Sequence, residues 1–308
     1  MNYIISILLF CIVLFLYLHI YHHLKTSNDL EVYELEHPSK QTLEEICDIR
    51  QPVLFSYHNE DIIKNMQLPS VVDSYGAFDI KVRNNTSNDD KTEKWLPFIL
   101  RESVELCRND KKGDYFSEQN EDFLQETGLI KKLKYNDSFL RPPMVSSCKY
   151  DYLFGSNETQ TPLRHNLNYR NYYMVTNGSI TIKLFNPNSS KYLYPEKDYA
   201  NFEFISPVNP WEVQDTYKQD FDKIKPLEVT LNEGDIIYIP AYWWYSIRFN
   251  EVSSIVAFKY RTYMNSMAII PHIVLFFLQQ SNIKRETVKT VEPITPTIPV
   301  EPTKEDTQ

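Results

Sequence analysis

Asn171-Tyr172-Tyr173-Met174-Val175-Thr176, then Asn177-Gly178, then Ser179-Ile180-Thr181-Ile182-Lys183-Leu184-Phe185 is the stretch that decides the fold. Two runs rich in β-branched and aromatic residues flank an Asn-Gly pair, which reaches the positive φ of a tight turn at little cost. The stretch therefore predicts a β-hairpin. In its second run Ile180, Ile182 and Leu184 share one face, and Ser179, Thr181 and Lys183 the other, as in a strand with one buried side. Working outward, residues 227–231, the turn 232–235 and residues 236–240 repeat the signal. Residues 246–249 and 254–258 continue the strand pattern, and 52–56 and 75–82 read as strands on the N-terminal side. Helical spacing is confined to the flanks: the start at 39–45, residues 94–107 with Phe98, Leu100, Val104 and Leu106 available for burial, and the apolar 265–280. The expected architecture is mainly β, an antiparallel core with flanking helices.

The first residues stand apart. Residues 3–21 carry no charge and one His; as a helix, such a run of about 19 residues is about 28 Å long, near the thickness of a hydrocarbon core. A secretory signal would have a basic start, a shorter apolar run and a small-residue cleavage site, and a buried core helix would show a polar stripe. The reading is a transmembrane anchor over 1–25, a polar, acidic stalk over 26–39, one domain over 40–285 and a disordered Pro- and Thr-spaced tail over 286–308. His22, His23 and Lys25 flank the C-terminal side of the anchor, which places the body of a single-pass membrane protein in the cytosol. Lys and Arg number 32 against 41 Asp and Glu, a net charge of −9 with no basic cluster, which argues against a nucleic-acid partner. Cys11, Cys47, Cys107 and Cys148 are too scattered for a zinc knuckle or a disulfide framework, and reduced thiols suit a cytosolic body.

Two longer stretches carry a further pattern. One is Thr161-Pro162-Leu163-Arg164-His165-Asn166-Leu167-Asn168-Tyr169-Arg170-Asn171, running on through Gly178 to Asn186-Pro187 and Leu193-Tyr194-Pro195. The other is Gly234-Asp235, Pro240, then Trp243-Trp244-Tyr245. Together they resemble the JmjC/cupin-like family of Fe(II)- and 2-oxoglutarate-dependent oxygenases, which includes protein hydroxylases and histone demethylases. Pro52-Val53-Leu54-Phe55 and Gly113-Asp114-Tyr115-Phe116-Ser117-Glu118 fit the same family. The resemblance covers about residues 40 to 280 and implies a double-stranded β-helix, or cupin jelly roll, with helical additions.

It also implies a site. Family members hold iron with His-x-Asp/Glu near the first strand and a distal His after the Trp-Trp pair, leaving positions open for 2-oxoglutarate and oxygen. Aligned from Asn171 and Gly178, the first two positions fall on His165 and Leu167. Aligned from Thr161, they fall on Arg164 and Asn166. The distal position is Tyr245. No alignment supplies an acid, and a neutral phenol is a poor iron ligand, so His165 stands as a vestigial metal position. The basic residue that pairs with 2-oxoglutarate in many members falls on Ile180, while Lys183 alternates to the opposite face. Thr161 and Asn171 match positions that often line the cofactor pocket; both also suit ordinary strand or turn roles. Tyr238, Tyr242, Trp243 and Trp244 read as core, and the run 192–204 with Trp211 as a loop open to partners.

The resemblance implies a membrane-anchored pseudoenzyme without the Fe(II) triad or the 2-oxoglutarate Lys. Such a protein has no catalytic residue and no cofactor, and works as a binding or scaffolding module with a protein partner. One alternative is an active hydroxylase or demethylase with a non-standard site, such as His165 joined by Asp151, using Fe(II) and 2-oxoglutarate. Another is a structural membrane protein.

Overall fold

The computed structural model describes residues 2–85 and 95–282, so the tail expected over 286–308 lies outside the described residues. Helix α1 (Asn2–Leu24) is followed by β1 (Tyr33–Leu35), α2 (Lys40–Cys47), β2 (Val53–Ser56), α3 (Glu60–Met66) and α4 (Leu68–Tyr75). Next come β3 (Asp79–Asn84), β4 (Leu96–Ile99), α5 (Leu100–Asn109), β5 (Tyr115–Ser117), α6 (Glu121–Glu126) and α7 (Leu129–Asn136). The long strands begin with β6 (Val145–Gly155), β7 (Arg164–His165), β8 (Arg170–Asn177) and β9 (Ser179–Phe185). A connection carrying β10 (Glu196–Asp198), β11 (Glu203–Ile205) and α8 (Asp215–Phe221) leads to β12 (Leu227–Asn232), β13 (Asp235–Tyr238), β14 (Trp244–Phe249) and β15 (Ser253–Thr262). Helices α9 (Tyr263–Ala268) and α10 (Ile270–Asn282) follow.

The strands form two sheets, one of nine in the order β1-β2-β13-β8-β15-β6-β5-β3-β4 and one of six in the order β10-β11-β7-β14-β9-β12. The chain winds between them, with β6, β8, β13 and β15 in the first and β7, β9, β12 and β14 in the second. That is the double-stranded β-helix expected. Between the sheets lies an apolar interior that includes Val175, Ile180, Ile182, Leu184, Ile247 and Phe249. The outer face of the larger sheet, with Tyr172, Met174, Val256 and Phe258, packs on α2 to α7.

Neither hairpin signal closes a hairpin. β8 pairs with β13 and β15, and β9 with β12 and β14, so Asn177-Gly178 is a corner where the chain changes sheet. Gly234 serves the same purpose between β12 and β13. Gly178 has φ 76° and a Cβ there would lie 2.5 Å from Ser253 Oγ; Gly234 has φ 90° and would meet His58 Nδ1 at 2.6 Å. Alternating apolar residues on both flanks are satisfied equally by strands facing each other across a core and by strands side by side. The glycine marks the turn and leaves the receiving sheet open.

Other boundaries also moved. The expected strand over 75–82 starts only at Asp79, because Tyr75 closes α4. Residues 96–99 pair with β3 before α5 begins, leaving Phe98 partly exposed. The presumed stalk contributes β1, parallel to β2, while Leu30 and Val32, on either side of Glu31, pack against the barrel interior. The run 192–204 supplies β10 and part of β11, which extend the smaller sheet. The last helix breaks at Ile269, just before Pro271, whose ring cannot continue the ladder of α9. All four thiols are free, with Cys47 and Cys107 buried. In α1, residues Tyr3–Leu24 are long and apolar enough to cross a membrane.

Candidate functional site

Strand β7 consists of Arg164 and His165, and its pairing with β14 sets Tyr245 opposite Arg164 and Trp244 opposite His165. Cross-strand partners share a face. Tyr245 belongs to the barrel interior, so Arg164 points inward with it, whereas Trp244 lies in an outer cluster with Leu163, Phe185 and Val208. The positions counted from Thr161 are thus the ones that converge with Tyr245. The guanidinium carbon of Arg164 stands 5.8 Å from the centre of the Tyr245 ring. The Asn166 amide donates to the hydroxyls of Tyr173 and Tyr245, 3.0 Å to each, and the two hydroxyls are 2.6 Å apart.

Arg164, Asn166 and Tyr245 line a cavity of about 280 Å³ at one end of the barrel. Three of its carboxylates, Glu118, Glu203 and Asp151, have cations beside them. Glu118, just after β5, accepts from Arg164 at 2.5 Å and from Arg83 at 3.3 Å. Glu203 accepts from the Gln119 amide at 3.0 Å and lies 3.8 Å from Arg164. Asp151 accepts the backbone N–H groups of Asn120 and Gln119 at 2.8 and 3.1 Å, with Lys259 3.8 Å away. Burial alone would raise the Glu118 carboxyl, but Arg164 and Arg83 hold it below the usual carboxylate range. Burial opposes the charge on Arg164 too, yet Glu118 keeps its guanidinium more firmly protonated than usual. At Asp151 burial outweighs Lys259 and the two amides, and the carboxyl is pushed up.

His165 also borders the cavity, yet its ring is packed among aromatic neighbours, 4.7 Å from Trp244, 5.2 Å from Phe204 and 6.0 Å from Tyr242. Its Nδ1 has no hydrogen-bond partner, and burial lowers its pKa to about 4, so the ring is neutral at pH 7. Asp151 lines the same cavity, but it stands on the inward row of β6 with its carboxylate turned to the 119–120 backbone, whereas the pairing of β7 turns His165 outward with Trp244. Leu167 is buried against Phe204 and Ile269. Thr161 fastens the approach to β7 onto β14: its N–H donates to Ile247 O at 2.8 Å and its hydroxyl accepts the Ile247 N–H at 2.9 Å. Asn171 donates to Ile239 O at 3.2 Å and accepts from Asn168 at 3.1 Å. Neither Thr161 nor Asn171 is among the residues lining the cavity. Ile180 is fully buried in the apolar interior, and Lys183 lies on the opposite face, 4.4 Å over the Trp211 ring. Tyr238, Trp243 and Trp244 are fully buried.

Sequence reading passed over the charged ring itself. Glu118 was legible only as part of a family motif, and Arg83 and Glu203 lie on distant strands. One signal was available. The inward row of β15 reads Ile255, Ala257, Lys259, Arg261, and that of β6 reads Leu153, Asp151, Lys149, so both turn charged towards the same end. Among the described residues no group of three or more His, Cys, Asp or Glu is placed to hold a metal ion.

Against known proteins, the family model for the cupin-like domain matches residues 39–266. The chain therefore belongs to the JmjC/cupin-like family. It is 25% identical over 172 residues to the protein named lysine-specific demethylase JMJ31 of Arabidopsis thaliana, covering 53% of this chain and 31% of that one. It is 32% identical over 108 residues to lysine-specific demethylase 8 of Danio rerio, covering 34% of this chain and 25% of that one. The matched regions amount to less than a third of either relative's length.

Proposed function

We propose that this chain is a membrane-anchored member of the family that has given up iron chemistry and works as a binding or scaffolding module. The observation that carries the reading is Arg164, clamped by Glu118 beside Tyr245 where the family pattern calls for metal donors. Ferrous iron is held by lone pairs from imidazole and carboxylate. A guanidinium offers none and adds positive charge, the Asn166 amide N–H groups are turned towards two phenols, and Glu118, Glu203 and Asp151 already have cations beside them. The residues present do not fit the ion. Nor does Ile180 offer a charge to the distal carboxylate of 2-oxoglutarate.

Lysine demethylation, the activity in the relatives' names, depends in this family on those missing groups, and we do not carry it over to this chain. What remains is a charged cavity suited to a polar group of a partner protein, on a body tethered by α1. The acidic net charge favours such a partner over nucleic acid, and the basic flank of α1 favours a cytosolic body.

The test is iron content and 2-oxoglutarate turnover of the full chain in detergent, after incubation with Fe(II) and ascorbate. The expected outcome is iron far below one per chain and no succinate above the protein-free blank. Stoichiometric iron with succinate formation overturns the proposal.

A further inference from the structure

We infer that α9 and α10 form a second contact with the lipid bilayer, lying in its interface beside α1. This rests on the reading of α1 as a membrane anchor. Residues 262–283 contain no Asp, Glu, Lys or Arg, in a chain of which 24% is charged; the one other uncharged run of that length is 1–24. An ordinary surface helix pairs an apolar inner face with a charged outer one. In α10 both faces are apolar. The inner face seats Ile273 and Phe276 against Phe202 and Phe204, and is fixed by a 3.0 Å bond between Tyr199 and His272 and a 2.6 Å bond from Gln280 to Ala200 O. The outer face presents Ile270, Val274, Phe277 and Leu278, a row at helical spacing, with Phe277 65% and Leu278 56% exposed. Tyr263 and Met267 of α9 extend the exposed apolar surface.

A helix of 13 residues is about 20 Å long, too short for a hydrocarbon core of about 30 Å, but suited to the headgroup boundary. The protein body takes the place of the charged face that an isolated interfacial helix would need. The occupant follows from position. α9 packs against α1 and carries the exposed Tyr263 and Met267, so the apolar surface of α9 and α10 reaches, through α9, the helix that can cross the membrane. A bilayer that takes in α1 meets α10 as well.

The experiment places one nitroxide per chain on the full protein in phosphatidylcholine vesicles and measures its collisions with oxygen and with a water-soluble nickel chelate. The sites are native Cys11 in α1, Phe277→Cys, and the exposed Tyr135→Cys as an aqueous control, with Cys148 and, for the last two, Cys11 replaced by Ser. The inference expects an oxygen-rich, nickel-poor signal at 277, shallower than that at 11, and a nickel-accessible one at 135. If 277 is as open to nickel as 135 while 11 is in lipid, α10 does not touch the bilayer and the anchor reading survives. If 11 is open to nickel, the anchor reading fails, and the signal at 277 decides the α10 contact separately. Shielding of 277 from both reagents, with spin–spin broadening between chains, means that a second copy covers the face and overturns the inference.

Discussion

The two ends of the barrel are built from the same strands with opposite chemistry. Along β14 the inward residues run Phe249, Ile247, Tyr245, and along β15 they run Ile255, Ala257, Lys259, Arg261. At the closed end Ile180, Ile182 and Ile247 are fully buried, and their stabilisation comes from apolar area, roughly 25 cal/mol per Å² removed from water. At the open end Glu118 is just as buried, but its contribution depends on Arg164 and Arg83 remaining beside it. Apolar packing weakens in proportion to the atoms removed. A buried ion pair fails when either partner is lost, because the other charge is left without solvent or counter-ion.

The largest effect should come from separating that pair. Glu118→Ala removes the carboxylate that Arg164 and Arg83 share, leaving Arg164 with Glu203 at 3.8 Å, and should cost about 3–5 kcal/mol in denaturant unfolding of the full chain in detergent. Adding Arg164→Met should recover more than half of the loss; an additive double mutant would mean that the pair is not what holds the open end together. At the closed end Ile182→Ala should cost about 2–4 kcal/mol through a cavity, and no second truncation nearby should restore it. A loss under about 1 kcal/mol there would show that the interior is loosely packed and the contrast overdrawn.

The smallest change tests the outer wall. His165 keeps a neutral ring, with a pKa of about 4 in the folded chain against an ordinary 6.5. Between those values the unfolded chain takes up the proton and the folded one does not. Stability from this group is therefore complete above pH 6.5 and falls as pH drops towards 4. His165→Phe, placed among Phe204, Tyr242 and Trp244, should shift stability at pH 7 by no more than about 1 kcal/mol. It should also remove about one proton from the pH slope in that window. An unchanged slope would mean that the ring is solvated.

How much of this was legible depended on the range of the interaction. Local devices read correctly: the helix start expected at 39–45 is α2, where Ser39 accepts the Thr42 N–H at 3.1 Å, and Ile180, Ile182 and Leu184 face one way. The Trp243-Trp244-Tyr245 element pointed to the right family, and its position after β13 is short-range information. The hairpins were misread because Asn177-Gly178 and Gly234 specify a turn, whereas the sheet that receives the next strand depends on partners many residues away. The site alignment stayed open for a related reason. His165 and Arg164 are neighbours, and a shift of one residue turns a strand over.

Sequence alone determined that the chain has an apolar first helix, a β-rich domain with two glycine turns, and no acid at either candidate ligand position, because these depend on residue type and spacing. Tertiary structure decided the rest. It set Tyr245 opposite Arg164 rather than His165, joined Glu118, Arg83 and Arg164 from three strand regions, and left the outer face of α10 bare next to α9, which packs on α1. Each of these outcomes needs segments distant in the chain to meet, and it is their burial against one another that selects the register and the partner.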